Sequence, residues 1–196
     1  MAKGRHHFFA FISRMKYIAR WGLMRNTISE NIQEHSLQVA MIAHALAVIK
    51  NRFFDGNINA DRIAVLAMYH DCNEIITGDL PTPIKYFNPE ISKAYKDVEN
   101  ISKNKLLSML PEELKEDYSL ILFHEDNDPD SWKIVKAADR ISAYIKCIEE
   151  VKAGNSEFRK ASEAILKSIM EIELQEVRYF MDKFVPSFLL TLDELE

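Results

Sequence analysis

The sequence predicts an all-α fold, and three observations carry that expectation. Glycine and proline are scarce, with 5 and 6 residues in a chain of 196, where average usage of about 7% and 5% would supply more punctuation. Apolar residues recur at spacings of three and four along most of the chain. No stretch alternates apolar and polar residues between turn signals in the manner of a strand. A chain of this length fits one domain, residues 1–196, with enough surface to bury a good core.

The elements follow in order. A first helix is expected over about residues 6–20, with Phe8, Phe9, Ile12, Met15 and Ile18 as its apolar face. The link WGLMRNTISEN leads to a long helix over residues 32–53 and then to the turn-like FDGNIN. Asn59 suits the cap of a helix over residues 60–77, because its side-chain oxygen can accept a free N–H of the first turn. Gly78 suits the left-handed residue that closes such a helix, and Pro81 and Pro83 oppose an immediate restart. Further helices are expected over residues 89–109, from Pro111, over 131–151 and over 157–183, with the acidic link HEDNDPD ahead of the third of these.

Composition excludes several classes of function. A formal net charge of −5 gives no strong pull toward nucleic acid or an anionic membrane, although a local cation can still hold a small anionic substrate. The longest apolar run, VAMIAHALAVI, is too short to span a bilayer. The N-terminus MAKGRHHFFAF lacks the apolar segment of a signal peptide, so a cytoplasmic location is expected. Two cysteines, Cys72 and Cys147, form no disulfide framework and read as small buried apolar residues.

Chemistry concentrates where apolar stripes meet polar groups. In the second helix Ile32, His35, Val39, Ile42 and Leu46 share a face, so His35 points inward. A core histidine bonded to backbone fits that position too, and His44 lies on a comparable face with Leu37, Met41 and Val48. In YHDCNEIITGDLPTP, His70 and Asp71 end a buried helical stretch, and burying them is costly unless something compensates. Glu74 stands four residues beyond His70, on the same side of a helix, where it can hold or deprotonate a water. Asp139 borders the stripe of Val135, Ala138, Ile141, Ile145 and Ile148; a surface pair with Arg140 is its bland alternative. Together His35, His70, Asp71 and Asp139 form a mixed nitrogen–oxygen set from three helices that suits a divalent transition metal with positions left open.

The order His … His-Asp … Asp on a helical chain resembles the HD-domain phosphohydrolase superfamily. RWGLMRN, EHSLQVAMIAHALA, AMYHDCNEIITGDLPTPIKYFN, KAADRISAYIKCIEE and YFMDKFVPSF resemble, more narrowly, the bacterial 5′-deoxynucleotidases within it. That resemblance implies a single HD-domain helical bundle, metal ligation by His35, His70, Asp71 and Asp139, and cobalt or manganese as the one divalent ion. It implies hydrolysis of deoxyribonucleoside 5′-monophosphates in preference to ribonucleotides, with His35, Asp71 and Asp139 also near the substrate and Glu74 and Arg20 catalytic. Arg20 would orient the 5′-phosphate, Trp21 would lie beside the nucleotide, and Asp79, Leu80, Pro81 and Thr82 would contact the sugar. It further implies a homodimer. Where that family usually has a small residue such as alanine, this chain has Cys72, on which none of the chemistry depends.

Two rival readings remain open on the sequence. Another HD phosphohydrolase, acting on cyclic nucleotides or nucleoside triphosphates, would use further histidines before the last Asp, and only His124 lies in that interval. A non-catalytic helical scaffold would be expected to have lost ligands, whereas this chain keeps all four with Glu74 and Arg20.

Overall fold

The computed structural model describes residues 5–85, 87–123, 125 and 128–195; His124 lies outside the described residues. Helix α1, Phe8–Ile12, tightens into a 3-10 segment at Ser13–Tyr17. Helix α2 spans Ile32–Phe53 and α3 spans Ala60–Tyr69. The short helices α4, Glu74–Thr77, and α5, Thr82–Lys85, follow. Then come α6 (Pro89–Leu107), α7 (Glu112–Leu122), α8 (Pro129–Lys152), α9 (Arg159–Met170) and α10 (Gln175–Lys183). Among the described residues no strand forms, and one isolated antiparallel bridge joins Ala19 to Asn31. The all-α expectation holds.

Local chemistry starts the helices. The Asn31 side chain accepts the N–H groups of Gln33 and Glu34, both at 3.0 Å, at the head of α2. Asn59 accepts Arg62 N–H at 2.9 Å, as the sequence predicts, and Asp128 does the same for Ser131 at 3.2 Å. Gly78 takes φ 74 just after α4, a conformation that costs a glycine little.

Helices α2, α3 and α8 form the centre. Val39, Ala43 and Leu46 of α2, Ile63 and Leu66 of α3, and Val135, Ile141 and Ile145 of α8 are fully buried together. Each large apolar side chain removed from water in this way contributes roughly 1.5–3 kcal/mol. A second cluster of Phe8, Met15, Ile32, Cys72, Leu106, Leu110 and Leu122 closes the opposite side of the HD segment. Both cysteines are buried and free, in keeping with their apolar reading. No described helix is long and apolar enough to cross a membrane.

Four sequence boundaries require correction. The first helix stops at Tyr17, because the following backbone pairs sideways: Arg20 N–H reaches Glu30 O at 2.9 Å, and Ile32 N–H reaches Ile18 O at 3.0 Å. The helix expected over 60–77 breaks after Tyr69. There the His70 N–H turns back to Ala67 O, and the imidazole Nδ1–H, at 2.7 Å, shares the same carbonyl. Side-chain competition of this kind interrupts a helix without help from Gly or Pro. Despite its prolines, the loop restarts as α5, with Pro83 in the first turn where its missing N–H is harmless. Finally, the last long helix divides into α9 and α10 around residues 171–174.

Candidate functional site

The break after α3 sets the site. His70 donates from Nδ1 to Ala67 O, which turns its Nε2 inward, the nitrogen that a neutral ring would offer to a metal. That nitrogen is buried and has no hydrogen-bond partner among the described residues. It lies 3.0 Å from Asp71 Oδ2, without hydrogen-bond geometry, and 4.0 Å from Asp139 Oδ1. His35 enters from the first turns of α2 and is fully buried. Its Nε2 faces Asp139 Oδ1 at 3.1 Å and Asp71 Oδ2 at 3.7 Å. The four residues expected to converge from separate segments therefore do converge. Ligand atoms of His35, His70 and Asp71 lie within 4.8 Å of one another, compact enough to hold a metal ion.

The chemistry of this set fits a cation. Two carboxylates crowded beside two buried imidazoles repel each other, and a shared positive charge would relieve that repulsion. Burial opposes charge on His70, yet Asp71 and Asp139 outweigh it and raise its pKa. On His35, burial and the nearby Arg20 guanidinium lower the pKa. The half-buried Asp139 carboxyl is held well below the usual carboxylate range, against the effect of its desolvation, by Lys136 and the two imidazoles. Asp71, likewise half-buried, is lowered chiefly by His70. Asn26 Oδ1 and Ser36 Oγ are also buried and without a partner among the described residues, so the orphaned nitrogen of His70 counts because of the company it keeps.

The alternatives for each residue resolve in the same geometry. His35 bonds to side chains and not to backbone: Arg20 Nη1 lies 2.7 Å and Ser142 Oγ 3.2 Å from its Nδ1. His44 is half exposed and sits 3.5 Å from Asp61 at the surface, away from this cluster. Asp139 is no surface partner of Arg140; its Oδ2 accepts from Lys136 at 2.7 Å while Oδ1 faces the histidines. Glu74 is buried, its Oε2 has no hydrogen-bond partner among the described residues, and burial with Asp71 and Asp79 pushes its pKa well above the ordinary range. Because the helix is broken between them, Glu74 begins α4 and does not stand one turn along the helix that carries His70.

Arg20 and Trp21 lie at this cluster, in extended and turning backbone where a helix end was expected. Burial works against the charge of Arg20, but Glu30, Asp139, Asp71 and Asp79 outweigh it and raise its pKa. Trp21 takes φ 60, a left-handed conformation that costs a bulky residue on the order of 1–3 kcal/mol. Its backbone N–H donates to Asp79 Oδ2 at 3.2 Å, and its ring tilts against Phe158 with centroids 5.3 Å apart. Asp79 is thus joined to the cluster, and burial raises its pKa. Leu80 and Pro81 are half buried and Thr82 is exposed. No hydrogen bond among the described residues ties those three to the cluster. Sequence reasoning missed Glu30, Lys136 and Ser142, polar residues whose place is set by partners distant in the chain.

Comparison with known proteins agrees with this geometry. The family profile described as 5′-deoxynucleotidase YfbR-like matches residues 7–188. A 5′-deoxynucleotidase of Vibrio cholerae is 57% identical over 189 residues, covering 96% of this chain and 97% of that protein. An HD-domain phosphohydrolase of Listeria innocua superposes with TM-score 0.83 at 23% identity, over 95% of this chain and 90% of that one. The HD phosphohydrolase of cyanophage S-2L, bound to dA and one catalytic zinc ion, superposes with TM-score 0.63 at 18% identity, over 91% and 96%. The two superpositions establish the HD-domain fold, and the profile and the Vibrio relative establish the family: the chain belongs to the YfbR-like 5′-deoxynucleotidases, a family of phosphoric monoester hydrolases.

Proposed function

We propose that this chain is a metal-dependent phosphomonoesterase that converts deoxyribonucleoside 5′-monophosphates to deoxynucleoside and phosphate, in preference to ribonucleotides. The observation that carries the reading is the buried, unpartnered His70 Nε2 among His35, Asp71 and Asp139, with the Arg20 guanidinium against the same cluster. The relatives' shared designation as 5′-deoxynucleotidases supports the substrate class.

His35, His70, Asp71 and Asp139 would hold one divalent ion. Bound there, it supplies Lewis acidity toward a phosphoryl oxygen and a lowered pKa for water. Arg20 offers further N–H donors to the phosphate and to the charge that grows on its oxygens. Glu74 orients the attacking water. Trp21 and Asp79, fixed to each other through the Trp21 N–H, flank the sugar with Leu80, Pro81 and Thr82, and the preference for deoxyribose follows if they crowd a 2′-hydroxyl. Cobalt or manganese is the working ion in this reading, even though the cyanophage protein holds zinc. Residues 1–196 form one HD domain that works in the cytoplasm as a homodimer. Exposed Leu37, Met41 and Met68 on the α2–α3 face are apolar area of the kind such a contact covers.

The test is phosphate release from paired deoxyribo- and ribonucleoside 5′-monophosphates, using chelator-stripped protein with cobalt, manganese or zinc returned. Release that requires an added ion and favours the deoxy substrate is expected. Equal rates on both sugars would remove the preference, and undiminished release by the stripped protein would remove the metal.

A further inference from the structure

Glu30 received no role from the sequence, yet it reaches three residues of the site, Arg20, Trp21 and His35. Its carboxylate is 12% exposed. Oε2 accepts the Arg20 Nη1–H at 2.8 Å and the Trp21 indole N–H at 3.0 Å. The Glu30 main-chain oxygen accepts Arg20 N–H at 2.9 Å, so backbone and side chain grip the same neighbour. Oε1 stands 3.8 Å from His35 Nδ1.

The pattern at Arg20 separates a positioning role from simple charge neutralisation. Both of its side-chain hydrogen bonds, to Glu30 and to His35, use Nη1. Among the described residues Nη2 and Nε make none, so the guanidinium is anchored at one nitrogen and keeps its other donors for two oxygens of an anion. Trp21 is held as firmly: Asp79 takes its backbone N–H, Glu30 its indole N–H, and Phe158 packs at a tilt against its ring. A bulky residue at φ 60 persists only when its surroundings over-determine it.

We propose that Glu30 is a positioning residue whose carboxylate binds the Arg20 guanidinium and the Trp21 indole into one unit, aiming the first at phosphate oxygens and the second at the sugar. The proposal rests on the deoxynucleotidase reading above and deepens it. Glu30 touches neither substrate nor metal in this scheme and acts through its two partners.

The test combines a spectroscopic signature with a double-mutant cycle. The chain has 2 tryptophans, so the Trp21 indole N–H resonance is identified by its loss in Trp21→Phe. Glu30→Ala should move that resonance, and Glu30→Gln, which retains an acceptor oxygen, should move it less. In turnover of a deoxyribonucleoside monophosphate, Glu30→Ala should lower kcat/KM by roughly tenfold or more, with partial recovery in Glu30→Gln. Added to Arg20→Ala, the same change should cost clearly less than it does in the wild type, because one of its two targets is already gone and only the hold on Trp21 is left to lose. An unmoved indole resonance, or losses that multiply fully in the double variant, would overturn the proposal. A wild-type chain that releases no phosphate would instead overturn the deoxynucleotidase reading. The indole resonance needs no turnover and would still decide whether Glu30 holds Trp21.

Discussion

Two buried polar clusters line one side of α8, about 16 Å apart at 1.5 Å per residue, and they are built on opposite plans. Around Asp139 the groups converge on a point, and two buried atoms, His70 Nε2 and Glu74 Oε2, find no hydrogen-bond partner among the described residues. Around Glu150 every demand is met by protein. Lys146, 4% exposed, pairs with Glu150, 1% exposed, and also donates to Ile28 O. Glu150 in turn accepts Thr27 N–H at 2.9 Å, Ile28 N–H at 3.2 Å and Asn155 Nδ2–H at 2.8 Å, along with the Thr27 hydroxyl. Burial alone therefore does not mark a reactive site. A satisfied buried network fixes backbone, here the segment that carries Trp21 and Glu30. An unsatisfied one, crowded with carboxylates and imidazoles, calls for a group from outside.

The largest expected effect breaks the first cluster. Asp139→Ala should lower metal-dependent phosphate release by roughly a thousandfold or more, since the several kcal/mol of a Lewis acid convert at tenfold per 1.36 kcal/mol. The helical circular-dichroism signal should survive and bound metal per chain should fall. Retained turnover with a normal metal content would remove Asp139 from the ligand set.

Breaking the second cluster should reverse the pattern. Glu150→Ala leaves Lys146 buried without its partner, together with two backbone N–H groups of the 27–28 turn. Removing one member of a buried ion pair costs about 3–5 kcal/mol of folding stability. Urea unfolding should register that loss, while the folded variant takes up metal as the wild type does. A loss below about 1 kcal/mol would place this pair with ordinary surface ion pairs.

The two clusters also differ in how far the sequence disclosed them. His35, His70, Asp71 and Asp139 could be singled out because each interrupts or borders an apolar helical stripe, and polar groups in such positions stand out locally. Asn59 as a cap and Gly78 as a terminator were visible for a similar reason, each acting through its own neighbours. Glu30, Lys146 and Glu150 sit among many acidic and basic residues of the same kind. Their meaning comes from contacts such as Thr27 with Glu150, 123 positions apart, which no local pattern encodes. The helix break after Tyr69 was hidden as well. It is made by one imidazole bonding to one carbonyl, with neither proline nor glycine to announce it. Arg20 was placed at a helix end because the Ile12, Met15 and Ile18 spacing runs on smoothly; only the pairing of residues 18–20 with 30–32 stops that helix.

The smallest effect sharpens the comparison by asking what the charge on Glu150 does. Burial acts to raise its pKa, but the bonds from Lys146, Thr27 and Asn155 prevail and hold it well below the ordinary carboxylate range. A carboxylate depressed in the folded state contributes stability that is complete above its unfolded pKa, about 4.3, and that fades as pH falls toward the folded value. Glu150→Gln keeps the shape of the network and removes that titration. Urea midpoints of wild type and variant should therefore lie farthest apart near neutral pH and draw together below about pH 4. Titrations of Asp71 and Asp139 are common to both proteins and cancel in the difference, so the narrowing belongs to Glu150. A gap that stays constant through the acid range would mean that this cluster needs the hydrogen bonds of Glu150 and not its charge.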